Sequence, residues 1–154
     1  MTRATSRRQT SLREADYRDQ ADFRYALRRF FRFSELHARG SGITPQQHML
    51  LLMVRGHPAY PQVTIGDIAE RMQIRHHSAS LLVERSLKRG LIERKHDTVD
   101  RRRALVSLTS EGQRILDKIT RANRRVLGSL EDTLFKSSFI EALRNDEQSP
   151  DEPI

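Results

Sequence analysis

A chain of 154 residues sets one domain as the default and is long enough for a substantial core. Its hydrophobic share of 36% and aromatic share of 6% are low, which leaves part of the core to a partner chain, while a formal net charge of +8 and a pI of about 10.7 favour a polyanionic partner. The lack of cysteine excludes disulfides, thiolate catalysis and thiol-based redox sensing, and no apolar run is long enough to span a membrane.

The first residues, MTRATSRRQTSLR, have no apolar centre of the kind a secretory signal needs. Arg and Ser without acids resemble a transit peptide in composition, but a flexible basic arm over residues 1–15 is the simpler reading, and a cytoplasmic location follows by default. Asp16 then reads as the N-cap of a helix over about residues 16–38, with Phe23, Leu27, Phe30, Phe31 and Leu36 at helical spacing and Gly40 and Gly42 as its stop. A second start follows at once: Thr44 caps, Pro45 fits the first helical position, and Gln47 completes a capping box. Residues 49–54 of that helix are apolar nearly all round, which predicts deep burial on several sides. Gly56 closes it, and residues 57–62, with Pro58 and Pro61, form a loop.

Thr64 caps a short helix to about residue 72, with Ile65, Ile68, Ala69 and Met72 inward. A turn at Gln73 and Ile74 leads to a helix over about residues 76–89, stopped by Gly90. Residues 91–94 and 104–108 read as paired strands around the loop KHDTVDRRR. Thr109 caps a further helix, which Gly128 interrupts before a last helix bearing Leu130, Leu134, Phe135, Ile140 and Leu143. The tail over residues 145–154 is acidic, contains Pro and reads as disordered. The fold class is therefore mainly α with a small β-hairpin.

On the helix of residues 76–89, Ala79, Leu82, Val83, Ser86 and Leu87 share one side and pack inward. His77, Leu81, Glu84 and Lys88 then point outward, flanked by Ser78, Ser80 and Arg85. Small polar groups near a helix start suit approach to base edges, and free N–H groups there attract phosphate. His77 can donate to guanine N7 or O6, Ser78 and Ser80 discriminate less, and Leu81 can touch a thymine methyl. Arg75 and His76 stand where phosphate or base contact is open to them. Spacing alone equally allows the two imidazoles ordinary capping or surface roles. Residues 85–103 carry eight Lys or Arg (Arg85, Lys88, Arg89, Arg94, Lys95, Arg101, Arg102, Arg103) against three acids (Glu93, Asp97, Asp100). Three adjacent guanidiniums repel unless an anion is near, and Asp100 can orient one of them in a bidentate pair. A narrow minor groove has the potential that attracts another. Thr64, Arg94 and Lys95 are the remaining phosphate-contact candidates.

The strings GITPQQHMLLLMV, IGDIAERMQIRHHSASLLVERSLKRGLIER and DRRRALVSLTSEGQRIL, in this order, resemble the MarR family of winged-helix transcription regulators over about residues 16–143. The resemblance implies a winged helix-turn-helix over about residues 44–109 and dimerisation helices over about 16–38 and 110–144, within one domain of residues 16–144. It makes the helix of residues 75–88 the DNA-reading element, so that Arg75, His76, His77, Ser78 and Ser80 become base or nearby-phosphate contacts. Asp100 and Arg102 match the Asp-x-Arg of the wing, whose Arg enters the minor groove, with Arg101 and Arg103 as supporting phosphate contacts. It further implies a homodimer on double-stranded DNA and a small-molecule effector, of identity unknown, near His37, His48, Met49 and Met53. By residue type alone those methionines read as core and those histidines as surface. Leu81 and Arg75 depart from the polar and capping residues common in similar proteins.

No H-E-x-x-H pattern, ordered Ser nucleophile or phosphate-binding Gly loop is present, so neither an enzyme nor a bound cofactor or metal is expected. A winged-helix module that docks on protein is the competing reading, and the cationic loop favours nucleic acid over it. RNA is disfavoured because stacking aromatics on the strands are absent.

Overall fold

The computed structural model describes residues 12–97 and 103–135. The chain divides into two compact units, one of residues 31–126 and one combining residues 1–30 with 127–154. Element order is α1 (Glu14–Gly40), α2 (Pro45–Arg55), β1 (Val63–Thr64), α3 (Ile65–Met72), α4 (His76–Lys88), β2 (Ile92–His96), β3 (Ala104–Leu108) and α5 (Ser110–Phe135).

The smaller unit contains the start of α1. Asp16 is not the N-cap there. It sits in the first turn, where its Oδ2 accepts from the Arg13 backbone N–H at 2.7 Å. The carboxylate thus occupies the third position of the helix, where it serves the cap from within. The expected arm lies mostly in residues 1–11, and the expected acidic tail in residues 145–154, outside the described residues.

In the larger unit, α1 runs on to Gly40, and Gly42 takes φ +78°, a left-handed conformation that lets the chain turn into α2. The Thr44–Gln47 capping box forms as predicted, with both reciprocal bonds present. Burial of α2 is narrower than its composition suggests: His48, Leu50, Leu51 and Val54 are buried, whereas Leu52 is 37% exposed. Helical geometry leaves one edge outward whatever the residue type.

β1 is an element that the sequence pattern did not disclose. Its two residues pair antiparallel with β3, Val63 opposite Val106 and Thr64 opposite Leu105. β3 is consequently the central strand of a three-stranded sheet, with β2 on its other side from Ile92 opposite Leu108 to His96 opposite Ala104. The core gathers Leu50, Leu51 and Val54 from α2, Ile68 from α3, Val83 from α4, Val63 and Val106 from the sheet, and Ile119 from α5. Each such aliphatic side chain contributes roughly 1.5–3 kcal/mol through burial. α5 passes through Gly128 without a break, so the predicted interruption is corrected. One glycine costs a helix only about 1 kcal/mol, which its flanking turns absorb. Ile140 and Leu143 fall outside the described residues.

Candidate nucleic-acid interface

α3 and α4 are joined by a three-residue turn whose geometry sets the angle between them. Gln73 adopts φ 54°, and its Nε2 donates to the Glu70 carbonyl at 2.7 Å, closing α3. The Ile74 N–H bonds the Ala69 carbonyl at 3.0 Å, and Ile74 packs on the core. α4 then starts at Arg75 with no side-chain cap, so the first N–H groups of the helix have no partner from a cap side chain.

Side-chain placement on α4 follows the predicted wheel. Ala79, Val83 and Ser86 are buried, and Leu82 and Leu87 pack against the core. Arg75, His76, His77 and Ser78 are exposed, and Ser80 is half-buried. Leu81, 45% exposed, shares the outer face with them. The five expected reading residues are therefore brought together at one exposed helix start.

The hairpin of β2 and β3 leaves the core quickly. Ile92 is buried and Arg94, Lys95 and His96 are exposed. The Asp97 N–H bonds the Arg103 carbonyl at 3.0 Å, and the Arg103 guanidinium lies 3.9 Å from Asp97 Oδ2. The expected wing residues Asp100, Arg101 and Arg102 lie outside the described residues. Arg94 pairs with Glu84 of α4 at 3.0 Å, which ties the wing to the outer side of α4, and Lys95 pairs with Glu93 at 2.9 Å. Helical spacing places Glu84 only as an outward residue. Its partner is ten positions away, beyond the reach of helical spacing.

Thr64 stands apart from the other phosphate candidates. Its hydroxyl donates to Asp67 Oδ2 at 2.7 Å and accepts from the Asp67 N–H at 3.2 Å, so it is committed to capping α3. Burial works to raise the Asp67 carboxyl, but the bonds from Thr64 and the charges of His57 and Arg103 hold it below its ordinary value of 3.8. The positive charge of Arg103 is thus felt at the start of α3.

His48 is a correction to the surface reading of the histidines. It is 4% exposed, with Ser34 Oγ 3.4 Å from its Nδ1, and Asn123 Nδ2 donates to the same Ser34 Oγ at 3.1 Å. Among the described residues, neither His48 Nε2 nor Asn123 Oδ1 has a hydrogen-bond partner. Burial lowers the His48 pKa from 6.5. His37 is half-buried with its ring 4.3 Å from that of Phe33, and Met49 and Met53 are half-buried. Among the described residues no group of His, Asp and Glu is arranged to hold a metal ion, and no helix is long and apolar enough to cross a membrane.

A helix-turn-helix whose second helix is followed directly by an antiparallel cationic hairpin defines a winged helix-turn-helix protein. Within that class, the model of the MarR family matches residues 41–103. The HTH-type transcriptional repressor MdtR of Bacillus subtilis is 28% identical over 101 residues, 66% of this chain. That match spans 63% of the length of MdtR. In fold, the chain resembles MepR of Staphylococcus aureus in its complex with DNA, with a TM-score of 0.67 and 22% identity over 84% of this chain and 93% of that one. It also resembles CouR of Rhodococcus jostii RHA1 bound to p-coumaroyl-CoA, with a TM-score of 0.63 and 20% identity over 81% of this chain and 87% of that one.

Proposed function

We propose that this chain is a homodimeric, sequence-specific regulator of transcription that binds double-stranded DNA. The observation that carries the reading is the uncapped, exposed start of α4, where Arg75, His76, His77 and Ser78 stand together beside a hairpin of the same sign of charge. Phosphate is drawn to the free N–H groups and guanidiniums, while imidazole and hydroxyl groups address base edges. The naming of MdtR as a repressor and the presence of DNA in the MepR structure support the same reading.

Two α4 helices enter successive major grooves about 10 bp apart on a near-palindromic site, and the two wings reach the flanking minor grooves through Arg102, oriented by Asp100. Arg101, Arg103, Arg94 and Lys95 contact phosphate. Dimerisation uses α1 and α5, on which Tyr17, Tyr25, Leu36 and Leu127 are exposed despite their apolar surface. Occupancy of a promoter blocks polymerase, so the regulator represses, and a small molecule relieves it, as the acyl-CoA bound to CouR suggests by analogy. The site of action is the cytoplasm.

Selection of duplexes from a randomised pool by the purified protein, followed by footprinting, tests this. The expected result is a two-fold site with half-sites about one helical turn apart. Failure to enrich any duplex in dilute buffer rejects the reading. Binding that ignores salt points instead to a protein-docking module, because phosphate contacts weaken steeply as salt rises.

A further inference from the structure

A groove of about 490 Å³ runs between the start of α2 and the outer flank of α4. Met72, Ile74 and Leu82 line its apolar part, and Gln46, Ser78 and Arg85 its polar part. Ser78 is one of the residues at the exposed start of α4, so the groove is continuous with the surface that faces bases. On α4, Ser78, Leu82 and Arg85 follow one another at spacings of four and three and so form a single stripe toward α2.

Arg85 and Gln46 are both exposed, and the side chain of neither forms a hydrogen bond or ion pair among the described residues. Several nearby cations are spent: Arg89 donates to the Gly42 carbonyl, Arg94 pairs with Glu84, and Arg103 approaches Asp97. Among the described residues, no Asp or Glu lines the groove. The hollow on the other side of Gln46 is bordered by Arg39 and Arg89, so the surface around the start of α2 is cationic on both sides.

We infer that this groove seats the sugar-phosphate strand bordering the major groove that α4 enters, with Arg85 and Gln46 clamping one phosphodiester. The inference rests on the DNA reading above and adds contacts to it. A DNA strand supplies both chemistries the groove offers: phosphate oxygens for the guanidinium and the amide, and deoxyribose C–H faces for Met72, Ile74 and Leu82. Arg85 is a full turn further along α4 than Leu81, which moves its charge from the bases toward the bordering strand. It positions the helix and carries no sequence information.

The test compares the parent, Arg85→Gln, Arg85→Lys and Gln46→Ala on a duplex that the parent itself selects from a random pool, by fluorescence anisotropy at several salt concentrations. Each phosphate contact adds about 0.9 to the slope of log affinity against log salt, so a symmetric dimer of Arg85→Gln loses about 1.8 of slope. Between about 50 and 200 mM salt, the parent then weakens roughly twelve-fold more than that variant. Arg85→Lys keeps the slope, Gln46→Ala weakens binding with little change of slope, and the ranking of single-base variants of the duplex stays the same in all three. An Arg85→Gln protein with the parental slope, or one with an altered base ranking, overturns the clamp while leaving DNA binding in place. A parent that selects no duplex overturns the underlying reading instead.

Discussion

Gly112 lies directly against the backbone carbonyl of Leu91, so closely that a β-carbon at position 112 would overlap the carbonyl oxygen. Around it, the Thr109 hydroxyl donates to the Gly90 carbonyl at 2.7 Å and accepts from the Gly112 N–H at 3.0 Å, while the Thr109 N–H bonds the Leu91 carbonyl at 3.1 Å. The first turn of α5 is thereby riveted to the chain that leaves α4, which gives the three-residue spacing of Thr109 and Gly112 a physical reason. Gly112→Ala must push two backbones apart, and an overpacking cost of about 1–3 kcal/mol follows. Urea unfolding of this variant is expected to show a lower midpoint with an unchanged slope. An unaltered midpoint would mean that the close approach is not rigid.

Thr64 and Asp67 form the second capping box, and here the carboxylate carries the charge. Thr64→Ala is expected to cost about 1 kcal/mol, the usual effect of losing a cap. The pH dependence follows from the direction of the Asp67 shift. Its pKa is lowered in the folded protein below 3.8, so its contribution is complete above that value and disappears as pH falls through the folded pKa. Asp67→Asn should therefore be less stable than the parent near neutrality and lose less stability on acidification. Parallel acid limbs for the two proteins would show that the charge of Asp67 plays no part.

Local chemistry announced what local chemistry controls. Thr44, Pro45 and Gln47 marked the start of α2 because a capping box is contained in four residues. The stripe from Ala79 to Leu87 marked the inner side of α4 because helical periodicity is a property of neighbours. Three features escaped for the opposite reason. β1 has only two residues, and Thr64 is both its last residue and the cap of α3, so no alternation could be seen. Gly128 signalled a break that the rest of α5 overrides. His48 is buried beside Ser34 of α1, which accepts in turn from Asn123 of α5, and Ser34 and Asn123 are 89 residues apart. Of the candidate site, the exposure of Arg75, His76, His77 and Ser78 at the start of α4 was legible, since it follows from helical spacing. The Glu84–Arg94 pair that joins helix to wing was not, since it depends on how the hairpin turns back.

His48 provides a titration of the larger unit. Burial lowers its pKa from 6.5, so the folded protein prefers the neutral ring more strongly than the unfolded chain does. The sign is then fixed: its stabilising effect is present above about 6.5 and is lost as pH falls from there through the folded pKa, because the unfolded chain takes up the proton first. His48→Gln keeps an amide near Ser34 and removes the titration. Unfolding free energies measured at about pH 5 and pH 7.5 should converge for this variant and separate for the parent. Equal separation in both would place the acid sensitivity elsewhere.

The roles proposed for α4 and the wing differ in kind, and two substitutions separate them. His77 is exposed in the second helical position, where its imidazole addresses a base edge, so His77→Ala should change which base is preferred at one symmetric pair of operator positions. A lost base contact is worth about 1–3 kcal/mol, or roughly five- to 150-fold at the affected position, with other positions unchanged. Arg102 is proposed to act through the shape and potential of the minor groove, so Arg102→Ala should weaken binding to most duplexes together and lower the salt slope. Competitive binding to a panel of single-base variants reads both effects at once. A His77→Ala protein with the parental ranking would remove His77 from the reading surface, and an Arg102→Ala protein with parental affinity and slope would remove Arg102 from the wing contact. Because the residues act on different properties of the duplex, the double variant is expected to show both defects with their free energies adding to within about 0.5 kcal/mol.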